Sequence, residues 1–168
     1  MDSNALKAFG FVAFPHIGGI LGGRITQRNI KGWYESLKRP SWRPPNYVFP
    51  PVWTALYSGM GYASYLVWRD GGGFSGESAK LPLALYGAQL ALNWAWSPIF
   101  FHYHNLSLSA MEIVLLTGTA GACAVSFHKV NSTAGWLLAP YLAWLCFASV
   151  LNIKIWWDNR GAIKDKEN

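Results

Sequence analysis

Five stretches of the chain are apolar and almost free of charge: residues 5–25, 47–68, 81–101, 106–127 and 135–157. They run 21 to 23 residues, close to the ~20 that an α-helix needs to cross ~30 Å of hydrocarbon. Within them the polar and small residues recur at helical spacing. The first holds Gly18-Gly19-Ile20-Leu21-Gly22-Gly23, two overlapping pairs of glycines four apart that let a helix or a ligand approach the backbone. Pro15 in the same stretch predicts a kink. The second places Trp53, Tyr57 and Gly61 on one stripe, and the third does the same with Gln89, Asn93, Trp96 and Phe100. An amide in mid-membrane must find a hydrogen-bond partner, so the Gln89/Asn93 face points inward. The fourth stretch is small and smooth over residues 118–124, which suits packing, and the fifth aligns Trp144, Ala148, Leu151 and Ile155. The pattern predicts an all-α integral membrane protein: one domain over residues 1–168, built as a bundle of five transmembrane helices.

Between the first two stretches, residues 26–46 change character. Residues 40–51 hold five of the nine prolines, which fix φ, remove backbone donors and exclude a regular helix. Trp33, Tyr34, Trp42 and the basic residues around them are what a membrane–water interface selects. A rigid aromatic loop at the membrane surface reads as a lid, with Trp33, Pro40, Trp42, Pro44 and Pro45 as its framework.

Composition agrees with this pattern. Apolar residues make up 52% and charged residues 13%, about half the usual charged share of a soluble domain. The mean hydropathy of +0.15 is modest because that scale penalises the ten tryptophans and eight tyrosines. A cleaved signal peptide at the start is disfavoured, since residues 5–25 lack a compact basic region before them. Cys123 and Cys146 fall inside predicted helices and read as small core residues. The sequons at Asn105 and Asn131 lie in consecutive loops on opposite membrane sides, so both are treated as chance. Five spans put the termini on opposite sides. One side carries Arg24, Arg28, Lys31, Lys38, Arg39, Arg43, Lys154, Arg160, Lys164 and Lys166; the other carries Lys7, Arg69, Lys80 and Lys129. The positive-inside rule assigns the first loop and the C-terminus to the cytoplasm. The net charge of +6 is thereby topological, and a nucleic-acid partner is not expected.

Counted from the cytoplasmic ends, the inward stripes of several helices meet within ~15 Å of the surface beneath the proline-rich loop. The candidate ligand wall is Gly19, Gly23, Thr26, Trp53, Tyr57, Asn93, Trp96, Trp144, Ala148 and Leu151. A cavity of aromatic rings with a few amides and hydroxyls suits a flat apolar molecule with a polar edge.

Several motifs resemble the translocator protein family, the group of tryptophan-rich sensory proteins and peripheral benzodiazepine receptors. They are Trp33-Tyr34, Leu37-Lys38-x-Pro40-Ser41-Trp42-x-Pro44-Pro45, Pro51-Val52-Trp53, Leu56-Tyr57-Ser58-x-Met60-Gly61-Tyr62, Gln89 through Phe101, and Pro140-Tyr141-x-x-Trp144. The resemblance covers nearly the whole chain. It implies five helices with a cavity beneath the first loop, and binding of cholesterol, porphyrins such as protoporphyrin IX or heme, and synthetic benzodiazepine-type ligands. It also implies a homodimer, with residence in the mitochondrial outer membrane or, as for the erythroid-type paralog that Pro15-His16 and His104-Asn105 resemble, in the endoplasmic reticulum or another internal membrane. Three departures stand out. The family's Leu-x-Tyr-x-x-x-Arg sterol motif reads Leu151 to Trp157 with Ile153 and Trp157 in place of the tyrosine and arginine. Sterol binding is therefore expected to lean on Leu151 and on Lys154, which can snorkel to donate a hydrogen bond. A drug-site tryptophan is Leu108, and a helix-three glycine pair reads Ala84 and Ala88.

Other residues carry competing readings. Glu112 is the one acid well inside a span; a pairing with Lys154 is preferred over a ligand contact. His16 is read as capping backbone groups rather than ligating heme, and His102-x-His104 as too sparse for a metal. No cofactor is expected. For Trp53, Trp96 and Trp144, ligand contact and core packing are both open. The leading function is a membrane receptor or carrier for a sterol or tetrapyrrole, surrounded by lipid. The alternatives are a photo-oxidative porphyrin-degrading enzyme using Trp53 and Trp144, and a structural partner in a membrane complex.

Overall fold

The computed structural model describes the backbone of residues 3–167 and the side chains of residues 3–161. Lys164 and Lys166, two of the basic residues assigned to the cytoplasmic side, lie outside the described side chains. Six α-helices follow one another: α1 (Ser3–Asn29), α2 (Phe49–Asp70), α3 (Glu77–Ser97), α4 (Leu106–Val130), the short α5 (Ser132–Leu137) and α6 (Ala139–Glu167). The described residues contain no strand. Five helices are long, and even the shorter two, α2 and α3 at 22 and 21 residues, span more than ~30 Å. Ser3–Tyr34, Leu106–Val130 and Ser132–Gly161 are the segments apolar enough by themselves to mark membrane spans.

Burial shows the expected inversion of a membrane bundle. Phe9, Phe14, Ile17, Leu21, Met111 and Val150 point outward and are more than half exposed, while Ser64, Gln89, Asn93 and Ser109 are buried. In water, outward apolar rows of this size would be an aggregation liability; lipid solvates them.

Proline and glycine set the helix limits. Helix α1 runs four residues beyond the expected end and stops where Lys31 and Gly32 leave helical geometry, Gly32 at φ +95°. A widened turn at Ile30–Tyr34 follows. Pro50 and Pro51, within the expected second span but also in the proline-rich stretch read as non-helical, open α2, because the first helical positions have no intrahelical use for an N–H. The third span starts earlier than expected and ends at Ser97, where a widened turn over Pro98–His102 takes over. The fifth span is broken at Leu138 between α5 and α6; Pro140 has no N–H for the Trp136 carbonyl. Asn105 and Asn131, the two sequon residues, have a structural role. Each caps a helix start, accepting from Leu108 N and Ala134 N respectively at 2.9 Å.

Helix α1 packs on α2 and α3, α4 packs on α3 and α6, and α2 packs on α5, whereas α2 and α6 barely touch. The backbones of α2 and α6 stay apart, and side chains bridge them, Phe49 to Trp144 and Trp53 to Tyr141. One apolar core fills the half away from the lid, around Met60, Leu90, Phe127, Leu138 and Leu145. A second, around Tyr34, Phe100, Phe101, Leu151 and Ile155, lies beneath the loop. Cys123 is buried as expected, but Cys146 is exposed on the outer face of α6. Gly118 and Gly121 of α4 meet no neighbour, so the packing face of that helix is the Ala120/Cys123/Ala124 side instead.

Candidate functional site: a lidded cavity within the bundle

The glycines of α1 separate packing from opening. A Cβ on Gly18 would collide with the Trp94 ring, one on Gly19 with Tyr57, and one on Gly22 would stand 3.0 Å from Ser97 Oγ; at Gly23 there is free space. Three of the four thus seat other helices, and Gly23 leaves room. Across from it, α6 presents Trp144, Ala148, Leu151 and Asn152. Between them is a cavity of about 360 Å³, within the size range of small-molecule sites. All ten residues of the expected wall border it: Gly19, Gly23, Thr26, Trp53, Tyr57, Asn93, Trp96, Trp144, Ala148 and Leu151. Sequence reasoning missed Trp94 and Asn152, which also border it; a polar residue next to Leu151 on α6 was the available signal.

Tyr57 and Asn93 of the cavity wall begin a continuous polar chain that runs into the core. Tyr57 donates to Asn93 Oδ1 at 2.6 Å, Asn93 Nδ2 donates to the Tyr141 hydroxyl at 3.1 Å, and Tyr141 donates to Gln89 Oε1 at 2.7 Å. Four side chains from α2, α3 and α6 satisfy one another where no water competes. Tyr141→Phe would orphan Asn93 Nδ2 and Gln89 Oε1 together. The expected cost is ~1 kcal/mol or somewhat more in a membrane, read as a lower thermal midpoint in detergent; an unchanged midpoint would show that the chain contributes nothing.

Aromatic rings make the walls. Trp53 lies 5.3 Å from Tyr57, Trp144 lies 5.7 Å from Phe49, and Trp96 stacks on Phe100 at 4.9 Å. His16 also borders the cavity. Its Nδ1 donates to the Val12 carbonyl at 2.9 Å, and its Nε2 lies 3.4 Å from Ser58 Oγ, whose own proton goes to the Thr54 carbonyl at 2.8 Å. The ring thus caps a backbone carbonyl through Nδ1, as expected. Among the described residues no group of His, Cys, Asp and Glu is arranged to hold a metal. His104 instead stacks face to face on Trp33 at 4.0 Å.

The lid is held at its edges. Trp33 rests on His104 and Phe100, and Trp42 rests on Phe147 of α6 at 5.8 Å. The inner wall, however, is made by Tyr34, Asn46, Phe49 and Pro50. Trp33, Pro40, Trp42, Pro44 and Pro45 frame the loop without bordering the cavity, because the prolines turn the chain along the surface. One side chain latches the loop to α6. Asn159, 8% exposed, accepts from Lys38 N at 3.0 Å and donates from Nδ2 to Lys38 O at 2.9 Å. Asn159→Ala removes both bonds, each worth ~1 kcal/mol. Faster amide exchange at residues 36–44 and severalfold faster ligand release are expected; exchange equal to wild type would mean the loop is held elsewhere.

The expected Glu112–Lys154 pair does not form. Lys154 Nζ pairs with Asp158 at 2.6 Å on the outer surface of α6, and it does not border the cavity. Glu112 is buried with neither carboxylate oxygen partnered among the described residues. The residue of α6 that faces α4 at this level is Asn152, two positions away around the helix, whose side chain lies 3.4 Å from Ser109 Oγ. A sterol anchor at Lys154 has no counterpart in the geometry of the cavity, although Leu151 does border it.

The fold and site together define a polytopic helical membrane protein with an internal, lidded, mainly apolar cavity. The profile of the TspO/MBR family matches residues 11–157, and the chain belongs to that family. It is 47% identical over 155 residues to the translocator protein of Bos taurus, covering 92% of this chain and 91% of that protein. It is 43% identical over 149 residues to translocator protein 2 of Homo sapiens, covering 89% and 88%. Protein CrtK of Rhodobacter capsulatus is 40% identical over 129 residues, covering 77% and 79%.

Proposed function

We propose that this protein is a membrane receptor or carrier that binds a flat, largely apolar molecule in the lidded cavity. The classes that fit are a porphyrin, such as protoporphyrin IX or heme, and a sterol such as cholesterol. The observation that carries the reading is the cavity itself: about 360 Å³, walled by tryptophans and tyrosines, closed below by a self-satisfied polar chain and above by a latched loop. The relatives' printed names, translocator proteins, are consistent with a carrier. The excess of basic residues on the lid side supports a cytoplasmic lid and C-terminus; within the family reading the membrane is the mitochondrial outer membrane, with the endoplasmic reticulum as the alternative. Ala84, Gly87 and Ala88 form a small exposed patch on α3, with open space beside Gly87, and this patch supports a homodimer through that face.

The test is saturation binding of labelled cholesterol and labelled protoporphyrin IX, side by side, to the purified full chain. Saturable binding with mutual competition is expected. Absence of saturable binding for both would leave a structural role in a membrane complex.

A further inference from the structure

The lid carries chemistry on the side away from the cavity. Residues 26–46 hold Arg28, Lys31, Lys38, Arg39 and Arg43 against one acid, Glu35. Two of these cations are held in place. The Arg39 and Arg43 guanidiniums lie 5.2 and 5.5 Å from the centre of the Tyr34 ring, and Tyr34 is itself buried against Phe100 and Phe101. Arg39 also donates to the Glu35 carbonyl at 3.3 Å, and Arg43 donates to Asn46 Oδ1. A ring face, a carbonyl and an amide oxygen position a guanidinium without cancelling its charge. Neither arginine forms an ion pair among the described residues, and these contacts use few of the N–H donors on each. Both arginines line one surface recess together with Leu37, Pro40 and Ser41, and none of the five borders the cavity. Ser41 is exposed in the turn that Arg43 N closes on the Pro40 carbonyl at 3.2 Å. Two positioned, unneutralised guanidiniums beside a hydroxyl match a phosphate, whose oxygens accept paired N–H bonds from an arginine fork.

We propose that this recess is a second binding site, in which Arg39, Arg43 and Ser41 hold the phosphate of an anionic membrane lipid and so brace the lid from outside. The source of the phosphate is the bilayer because of where the recess lies. Trp42 and Tyr47, both exposed, stand beside it in the chain, and such aromatics settle at headgroup depth. A basic cluster there meets anionic headgroups at a concentration that no soluble anion reaches, and each arginine adds to the attraction. Net negative charge sets the preference, since the amine of a zwitterionic headgroup is repelled by the same two cations. The consequence reaches the inside of the protein through Tyr34, which carries both guanidiniums on its ring and also borders the cavity.

Amide exchange of the full chain in nanodiscs tests this, with no cavity ligand present. One set of discs is dioleoyl phosphatidylcholine, the other a four-to-one mixture of it with dioleoyl phosphatidylglycerol. In wild type, the anionic lipid is expected to slow exchange at residues 36–44 about tenfold. The double variant Arg39→Gln/Arg43→Gln should lose that difference. Arg28→Gln/Lys31→Gln removes the same charge from the same loop but from outside the recess, so it should keep the difference. No effect of phosphatidylglycerol on wild type would overturn the proposal. Equal loss in the two double variants would also overturn it, because the attraction would then be diffuse. Inorganic phosphate added to the phosphatidylcholine discs separates the sources: it should leave exchange unchanged, and protection equal to that of the lipid would make the occupant a soluble anion and overturn the lipid assignment. Should Arg39→Gln/Arg43→Gln fail to fold, native mass spectrometry of wild type released from the mixed discs decides. Preferential retention of one phosphatidylglycerol per chain supports the proposal, and retention of the two lipids in their bulk ratio overturns it.

Discussion

Ala148→Phe is expected to lower ligand affinity by more than tenfold while leaving the bundle folded. Ala148 borders the cavity from α6, between Trp144 and Leu151, which border it too. A benzyl group there would occupy part of a space of about 360 Å³ that the ligand needs. The fold should tolerate it because the added ring grows into open volume, not into the close-packed core around Leu138 and Leu145. The loss of helix propensity from alanine to phenylalanine is only ~0.5 kcal/mol. Saturation binding with labelled protoporphyrin IX and cholesterol on the folded variant checks this. Unchanged affinity would place the ligand outside the cavity.

Much of this architecture was legible in the sequence because lipid makes strict demands. A span must be apolar and about twenty residues long, and an amide inside it must face a partner. The inward stripes of Trp53/Tyr57, Asn93/Trp96 and Trp144/Ala148/Leu151 follow from helical periodicity alone, and all of them border one cavity. Where the reading failed, the cause was local geometry that periodicity does not encode. Pro50 and Pro51 looked like loop residues, but at a helix start their missing N–H is harmless. Pro140 breaks the fifth span just after Leu138, which its mid-span apolar setting concealed. Lys154 and Glu112 sit at similar depth, yet their side chains diverge. A pair predicted from depth needs the azimuth of both residues, and Lys154 had a nearer carboxylate four residues on, Asp158. Asn152 was overlooked because a single polar residue in an apolar run carries no periodic signal.

The hydrogen-bonded chain below the cavity also bears on how the site stays specific inside a bilayer. Apolar area alone discriminates poorly there, since lipid solvates a hydrocarbon ligand as well as the wall does. Specificity must come from shape and from hydrogen bonds that lipid cannot offer. The Asn159 latch and the Trp42–Phe147 contact tie the loop to α6, the same helix that carries Ala148, Leu151 and Asn152. Lid and pocket wall thus share one helix.

Gly61→Val is expected to cause a large loss of stability by forcing α1 and α2 apart. A Cβ at Gly61 would lie 2.6 Å from the Phe11 carbonyl oxygen and 2.7 Å from Val12 Cα. Both are backbone atoms of α1, so no side-chain rotation can relieve the clash; the two helices must separate. The close approach has a local cause in Pro15, which has no N–H to offer the Phe11 carbonyl four residues before it. That carbonyl is left facing α2 at the one position where a glycine admits it. Overpacking of this kind costs ~1–3 kcal/mol and can exceed that where backbone must move. The displacement would also carry Gly19 and Gly23 away from Tyr57 and the cavity, so ligand affinity should fall together with the thermal midpoint. Gly10→Ala on the same helix is the control. Nothing lies within 4 Å of its added Cβ, and helix propensity favours alanine by ~1 kcal/mol, so its midpoint should hold or rise. Thermal midpoints of both variants in one detergent decide the matter: equal values for Gly61→Val and wild type would show that α1 and α2 do not pack through this glycine.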